Sequence, residues 1–248
     1  MKRFVASAIL ILLAGCVVAQ KKMSAPSFIQ NIHIEADGQL SDWPTSALQE
    51  IDPTNPIWSY AIGHDHENLY VVVSISNPEL QLEAAVHGIS VMINADGKKK
   101  DGMQLLFPVP DAETIRALTE ERELSSTYVR DELLKRTRGF GVKAFPRIVN
   151  GLLSLNNNYG IRAIVKMNEQ DQLIYESVIP LKHLETKNNP VAIQVGIQNR
   201  WTHMQKVMAR QSSAQNPYAN RRMPTSRVPK SPYSGKTEIW VVDQLPIR

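Results

Sequence analysis

The amino-acid sequence predicts an all-β fold, an antiparallel β-sandwich of jelly-roll type with one inserted helical segment around residues 111–138. Most segments alternate apolar and polar residues with a period of two, which is typical of half-buried strands. Turn signals that contain glycine, such as Asp37–Gly38 and Asn150–Gly151, separate these segments. The stretch 111–138 lacks glycine and proline and is rich in Glu, Arg and Leu, which favours helix.

Strands are predicted along the whole chain between residues 28 and 245, with polar turns between them. Two hairpins are expected, one closed by Asn150–Gly151 and one closed by the turn 169–171. The predicted strands are 28–36, 57–64, 68–76, 87–95, 103–109, 140–149, 152–156, 160–168, 172–181, 191–201 and 236–245. Because no flexible linker divides this region, it is predicted to be a single sandwich domain, 28–245.

The first residues have the pattern of an export signal. A basic start, "MKR", is followed by the short apolar run "FVASAILILLAGCVVA", and residues 1–19 are therefore predicted to be a secretory signal. Two processing sites remain open, lipidation at Cys16 within "LAGC" and cleavage before Gln20. The protein is expected in the periplasm or outer membrane of a bacterium, and lipid-anchored if Cys16 is modified. Cys16 is the sole cysteine, so no structural disulfide is expected.

The charge of the chain is unevenly distributed. The formal net charge is +4, but the segment 202–236 contains seven Lys and Arg residues and no acidic residue, which leaves the rest of the mature chain acidic. Nucleic-acid binding is therefore not indicated by the charge. The segment is rich in Ser, Gln, Asn and Pro and is predicted to be a mobile loop. It is either a solvated loop or a contact surface for anionic glycans, lipid headgroups or a protein.

Three segments resemble the family 9 carbohydrate-binding modules and the related DOMON-type sandwiches. They are "IEADGQLSDW" (34–43), "DHENLYVVVSIS" (65–76) and "YESVIPLKHL" (175–184), and they occur in the order typical of that family. The resemblance covers most of residues 30–245. It implies a β-sandwich that binds carbohydrate without catalysis. The chain departs from the family pattern in its helical insertion and its basic loop.

The resemblance implies that two tryptophans hold a sugar between them. Trp58 and Trp201 are the candidates, because Trp58 lies near the start of a predicted strand and Trp201 ends one where the basic loop begins. Asn199 and Arg200 are candidate polar neighbours. Sugar rings stack their C–H faces on aromatic rings, while their hydroxyls need polar partners. The alternative is that both tryptophans only pack in the core. Trp43 and Trp240 are interpreted as core or half-buried residues.

The segment "HDHE" places His64 and His66 on either side of an aspartate. A metal site needs ligands that converge, usually three or four of them, and the sequence shows no third ligand nearby. The segment is therefore predicted to be a turn between two strands.

Two further cofactors remain open alternatives. Structural calcium is the first, because aspartates cluster in two predicted turns, although their spacing does not match a calcium loop and ordinary turn residues are favoured. These aspartates are Asp37, Asp42, Asp96 and Asp101. Haem is the second, because "RWTHMQKVM" offers His203, Met204 and Met208 as axial ligands, as in some DOMON-type domains.

No catalytic motif is found in the sequence. There is no nucleophile elbow, no H-E-x-x-H zinc motif and no phosphate-binding loop. An enzyme is therefore not expected, and the resemblance together with the export signal implies a non-catalytic, carbohydrate-binding protein of the bacterial cell envelope that binds an envelope glycan. The alternatives are an envelope structural or interaction protein without a sugar site, and a haem-binding electron-transfer module.

Overall fold

Two β-sheets, each of six strands, lie face to face in a computed structural model that describes residues 27–121, 123–186, 189–202, 204, 232–233 and 236–246. Between these strands, the described residues form three α-helices with complete bounds and one short 3₁₀-helix, Leu181–His183. The strands are β1 Ile29–Gln30, β2 Gln49–Glu50, β3 Trp58–His64, β4 Asn68–Ile75, β5 Ile89–Asn94, β6 Met103–Phe107, β7 Phe140–Lys143, β8 Gly151–Leu153, β9 Arg162–Met167, β10 Leu173–Pro180, β11 Val191–Ile197 and β12 Glu238–Asp243. The helices are α1 Pro78–His87, α2 Ala112–Glu120 and α3 Ser126–Lys135.

Some paired strands follow each other in the sequence, whereas others come from distant parts of the chain. Sheet A has the order β1-β3-β4-β10-β9, with β2 also paired to β3, and sheet B has the order β12-β11-β5-β6-β7-β8. Every pairing is antiparallel except that of β1 with β3. The predicted antiparallel β-sandwich with a helical insertion is confirmed.

The main core lies between the sheets. Alternate residues of each central strand point into it, for example Val71 and Val73 from β4 and Val91 and Ile93 from β5. These side chains are fully buried, and burial of an aliphatic side chain of this size contributes about 1.5–3 kcal/mol. Because the side-chain period of a strand is two, the residues between them face away from this core.

The predicted strand 28–36 is wrong beyond residue 30. Asn31 adopts a positive φ of 56°, a conformation that Asn tolerates better than most residues and that ends a strand. The chain then crosses the outer face of sheet A, where Ile34 and Trp43 are buried against Tyr70 and Val72 of β4. Both faces of the central strand β4 are therefore covered.

Glu176 of β10 holds this covering segment in place. Its Oε2 accepts hydrogen bonds from the backbone N–H groups of Asp37 (3.1 Å) and Gly38 (2.7 Å), and its Oε1 accepts one from Trp43 Nε1 (2.8 Å). Gly38 has a φ of 79°, which favours glycine at this turn. Two of the segments that carry the family resemblance, 34–43 and 175–184, therefore meet at one buried carboxylate.

The helical insertion is divided into two helices. Asp111 caps α2 and Ser125 caps α3 through side-chain oxygens that accept first-turn N–H groups. Helix α1, which lies outside the insertion, was not predicted, although Asn77 caps it and Pro78 occupies its first turn. The α3 helix packs on α1 through an apolar cluster of Ala85, Val129 and Leu133.

A buried polar network also joins α3 to the sandwich. Arg130 of α3 donates to Gln81 Oε1 of α1 at 2.5 Å. Gln81 Nε2 in turn donates to the backbone carbonyls of Ile75, at the end of β4, and of Asp171, in the β9–β10 turn. The insertion is therefore anchored to both α1 and sheet A.

Several predicted strands are shorter in the structure. The predicted strand 87–95 begins only at residue 89, because α1 ends at His87 and Gly88 follows with a φ of 83°. The predicted strand 140–149 ends at Lys143, where Ala144 has a φ of 60°. Both predicted hairpins are present, β7–β8 and β9–β10, but the first is closed by the longer loop 144–150, and Gly151 already belongs to β8.

Residues 1–26 and most of the basic loop 202–236 lie outside the described residues. The predictions of a signal at 1–19, of lipidation at Cys16 and of a mobile basic loop therefore remain predictions. Within the part of the chain that the structure describes, no helix has the length and apolar character needed to cross a bilayer.

Candidate functional site

The "HDHE" segment forms a turn, as predicted. His64 is the last residue of β3, and Asp65 begins the turn to β4. Asp65 Oδ1 accepts from the N–H groups of Glu67 (2.7 Å) and Asn68 (2.6 Å), and Oδ2 accepts from the Tyr70 hydroxyl (2.5 Å). Partial burial opposes ionisation of Asp65, but these hydrogen bonds outweigh it, so the pKa of the carboxyl is lowered.

The candidate calcium ligands are engaged in local structure. Asp37 Oδ1 accepts from the N–H of Gln39 at 2.8 Å, and Asp42 Oδ2 accepts from the N–H of Glu35 at 3.2 Å. Across the described residues, no three His, Cys, Asp or Glu side chains converge as metal ligands would. Two of the candidate haem ligands, His203 and Met208, lie outside the described residues.

Trp58 lies in the core, which corrects its assignment as a sugar platform. Its side chain is 2% exposed and its ring packs against that of Tyr60, with 5.9 Å between centroids. Its Nε1 donates to the backbone carbonyl of Lys236 at 2.9 Å. Trp58, Tyr60 and Ile62 alternate along β3, so they share the face that points to the opposite sheet. No ring face of Trp58 is open to a ligand.

The side chain of Asn199 is hydrogen-bonded to the chain around it. The residue is 1% exposed. Its Oδ1 accepts from the N–H of Thr202 at 3.0 Å, and its Nδ2 donates to the carbonyl of Ile197 and to Thr237 Oγ1. With these bonds made internally, Asn199 positions the chain that carries Arg200 and Trp201 and presents no group to a ligand.

Arg200 and Trp201 are the two predicted site residues that reach the surface together. The Arg200 side chain is 63% exposed and donates through Nε to the buried carboxylate of Glu83 on α1. The backbone N–H of Arg200 also donates to Glu83 Oε2 at 2.9 Å. The hydrogen bond between the Arg200 side chain and Glu83 raises the pKa of Arg200. The guanidinium carbon lies 6.0 Å from the centre of the half-buried Trp201 ring.

A second candidate surface, which sequence analysis missed, lies on the outer face of sheet B. Five side chains stand directly opposite one another across neighbouring strands, and we call them the cross-strand row. They are Trp240, Gln194, Met92, Gln104 and Lys143, on β12, β11, β5, β6 and β7 respectively. Since neighbouring strands lie about 4.8 Å apart, the row extends for about 19 Å.

The row combines an aromatic ring with amide and ammonium groups. Trp240 is half-buried, so part of its indole is open to solvent. Gln194 beside it is buried, and its Nε2 donates to Glu238 Oε2 at 2.9 Å. Met92 and Gln104 are half-buried, and Lys143 is exposed. Such a set offers a stacking surface together with hydrogen-bond donors and acceptors.

A shallow groove adjoins the lysine end of the row. It has a volume of about 350 Å³ and is lined by Gln104, Leu106, Val109, Gly141, Lys143 and Leu152. Gly141 lines this groove, and a Cβ at this position would be crowded, because it would lie only 3.2 Å from Leu106 Cβ. The surface therefore continues from the aromatic end of the row to a groove whose walls are partly apolar.

Similarity to known proteins is found among solved structures. No family model matches the chain. No curated protein matches it either. Two solved structures of a family 9 carbohydrate-binding module from Caldicellulosiruptor kristjanssonii are similar to it at 10% identity. The complex with glucose has a TM-score of 0.34 and covers 70% of this chain and 78% of that chain. The complex with cellotriose has a TM-score of 0.36, with coverages of 71% and 78%.

Proposed function

We propose that this chain is a non-catalytic carbohydrate-binding protein of the bacterial cell envelope and that its ligand lies along the cross-strand row. The observation that carries the proposal is the in-register alignment of Trp240, Gln194, Met92, Gln104 and Lys143 on one sheet face. The envelope location is supported by the signal pattern at residues 1–19.

The row suits a sugar chain because each of its groups matches a different part of a sugar ring. The indole of Trp240 stacks on the apolar C–H face of a ring, and the amide of Gln104 donates hydrogen bonds to sugar hydroxyls and accepts hydrogen bonds from them. Gln194 is 8% exposed and its Nε2 is bonded to Glu238, so the ligand contacts come from the more open members of the row, Trp240, Met92, Gln104 and Lys143.

The test is glycan binding by the purified chain and its variants. Affinity gel electrophoresis and calorimetry with soluble neutral and acidic polysaccharides measure the affinity. We expect Trp240→Ala to weaken binding at least tenfold, which corresponds to about 1.4 kcal/mol. Tyr128→Ala is the matched control, because Tyr128 is an exposed aromatic residue, on α3, outside the row. We expect it to bind as the parent does.

Two results would overturn this proposal at different levels. Binding that Trp201→Ala or Arg200→Ala abolishes and Trp240→Ala leaves unchanged would move the site to the Arg200–Trp201 end of the sandwich. Failure of the folded parent chain to bind any neutral or acidic glycan would refute carbohydrate binding itself.

A further inference from the structure

The free edge of sheet A is a second surface with a recognisable binding geometry. The edge strand β9 pairs with β10 on one side only. Within the described residues, no backbone hydrogen bond joins the other side of β9. A strand with such an edge presents a row of unpaired N–H and C=O groups to which another strand can add.

A groove runs along this free edge, between β9 and the inserted helix α3. Its first part, of about 390 Å³, lies between Ala163 and Val165 of β9 and a wall that includes Phe107, Leu134 and Phe140. Its second part, of about 410 Å³, lies between Val165 to Met167 and residues Asp131, Leu134 and Lys135 of α3.

The two parts form one continuous groove, because Leu134 and Val165 line both of them. The groove follows all six residues of β9, or about 20 Å at the rise of an extended strand. A groove of this length beside a strand edge fits an extended chain better than a compact ligand.

The charges along β9 indicate which kind of extended peptide would bind beside it. Arg162 and Lys166 are exposed and lie four residues apart, so they share one face of the strand, with Ile164 between them. Within the described residues, neither has an acidic partner within ion-pair distance. Acidic residues four positions apart on an added strand would lie opposite these two cations, which is a favourable cross-strand pairing.

We propose that an extended segment of a partner protein, with acidic residues four positions apart and small apolar residues on its other face, adds to β9 as a further strand of sheet A. The apolar residues fill the groove beside Val165 and Leu134, and the acidic residues pair with Arg162 and Lys166. A second copy of this chain is the poorer occupant. Antiparallel pairing of two β9 strands through their centres sets Arg162 and Lys166 opposite like charges, which is destabilising.

The test uses short blocked peptides and the full chain. The first peptide has the sequence TEVTVET, in which the glutamates share one face and the valines the other, and the control peptide is TKVTVKT. We expect fluorescence polarisation to show at least tenfold tighter binding of the glutamate peptide, and this binding to weaken as salt rises. Hydrogen exchange of the amides in 162–167 should slow at least tenfold in the complex.

A charge swap tests the contact itself. The double variant Arg162→Glu with Lys166→Glu should bind the lysine peptide and reject the glutamate peptide, while Arg147→Glu with Lys182→Glu, at exposed positions outside the groove, should behave as the parent. An unchanged preference in the swapped variant, binding without exchange protection in β9, or no binding of either peptide would overturn the proposal. Self-association through β9 that excludes the peptide would also overturn it. All of these readouts are independent of glycan binding.

Discussion

Replacing Glu176 with glutamine tests whether this buried carboxylate organises the outer layer of sheet A. Glu176 is 1% exposed and accepts three N–H groups. In Glu176→Gln, the amide oxygen can continue to accept from Asp37 and Gly38. The amide nitrogen then faces Trp43 Nε1, a donor facing a donor.

The expected loss follows from two opposing effects. One hydrogen bond to a charged acceptor is lost and the buried Trp43 N–H is left without an acceptor, each costing about 1–3 kcal/mol. Removing the buried charge offsets part of this loss. We therefore expect the free energy of unfolding to fall by about 1–2 kcal/mol near neutral pH, and Tm to fall by about 2–8 °C for a chain of this size.

The pH dependence of stability tests whether burial or hydrogen bonding dominates at Glu176. Burial raises the pKa of Glu176, and the hydrogen bonds from Trp43, Gly38 and Asp37 only partly counter it. The folded state therefore binds the proton more tightly than the unfolded state, so the contribution of Glu176 is fully present below the ordinary glutamate pKa. It is lost as pH rises through the raised value. Since glutamine does not titrate, the stability difference between parent and variant should widen on acidification.

Urea unfolding followed by circular dichroism, at neutral pH and near pH 4, measures this difference. Trp43→Phe and the double variant complete a thermodynamic cycle, in which the double variant should lose about 1 kcal/mol less than the sum of the single losses. Additive losses in the cycle would show that Trp43 and Glu176 are not coupled. A stability difference that narrows on acidification would refute the balance of burial over hydrogen bonding.

Three further substitutions have expected outcomes. Trp58→Phe should lower stability by about 1 kcal/mol by removing the donor to the Lys236 carbonyl, and leave glycan affinity unchanged; weaker glycan binding would restore Trp58 to the site. Arg130→Ala leaves Gln81 Oε1 without its donor and should lower the free energy of unfolding by about 1–3 kcal/mol. Relative to the parent, amide exchange should accelerate more in α3 than in β4. An equal acceleration in both would contradict the anchoring of α3 by Arg130. Asp65→Asn should cost about 1 kcal/mol at neutral pH. Because the pKa of Asp65 is lowered, its stabilisation is lost as pH falls through the folded value, so a gap that widens in acid would contradict this assignment.

The central strands could be predicted from the sequence because their side chains alternate between two environments. The bounds of β3, β4 and β10 differ from the predicted ones by one residue at most. Helix α1 was missed because Ala84 and Leu80 point into the main core and Ala85 points to α3, which leaves no single polar face in its sequence. Its cap and first-turn proline, Asn77 and Pro78, were the available signals.

The candidate sites were harder to predict because they depend on strand order. Trp58 could have been placed in the core from its alternation with Tyr60 and Ile62. The cross-strand row, in contrast, joins β5, β6 and β7 to β11 and β12, which lie much later in the chain. Neither the order of these strands nor their register can be obtained from the period of two alone. The groove along β9 likewise exists only because α3 lies beside that edge.

The hydrogen bond from Phe28 N–H to Asp243 Oδ2, 2.8 Å long, ties the start of the described chain to its last strand. Phe28 precedes β1 in sheet A, whereas Asp243 ends β12 in sheet B, so this bond also joins the two sheets. The first and last strands of the described sandwich therefore lie close together, which makes this domain suitable for circular permutation. A short linker from residue 246 to residue 27, with new ends in the exposed lysine turn at 98–100, would preserve every strand pairing.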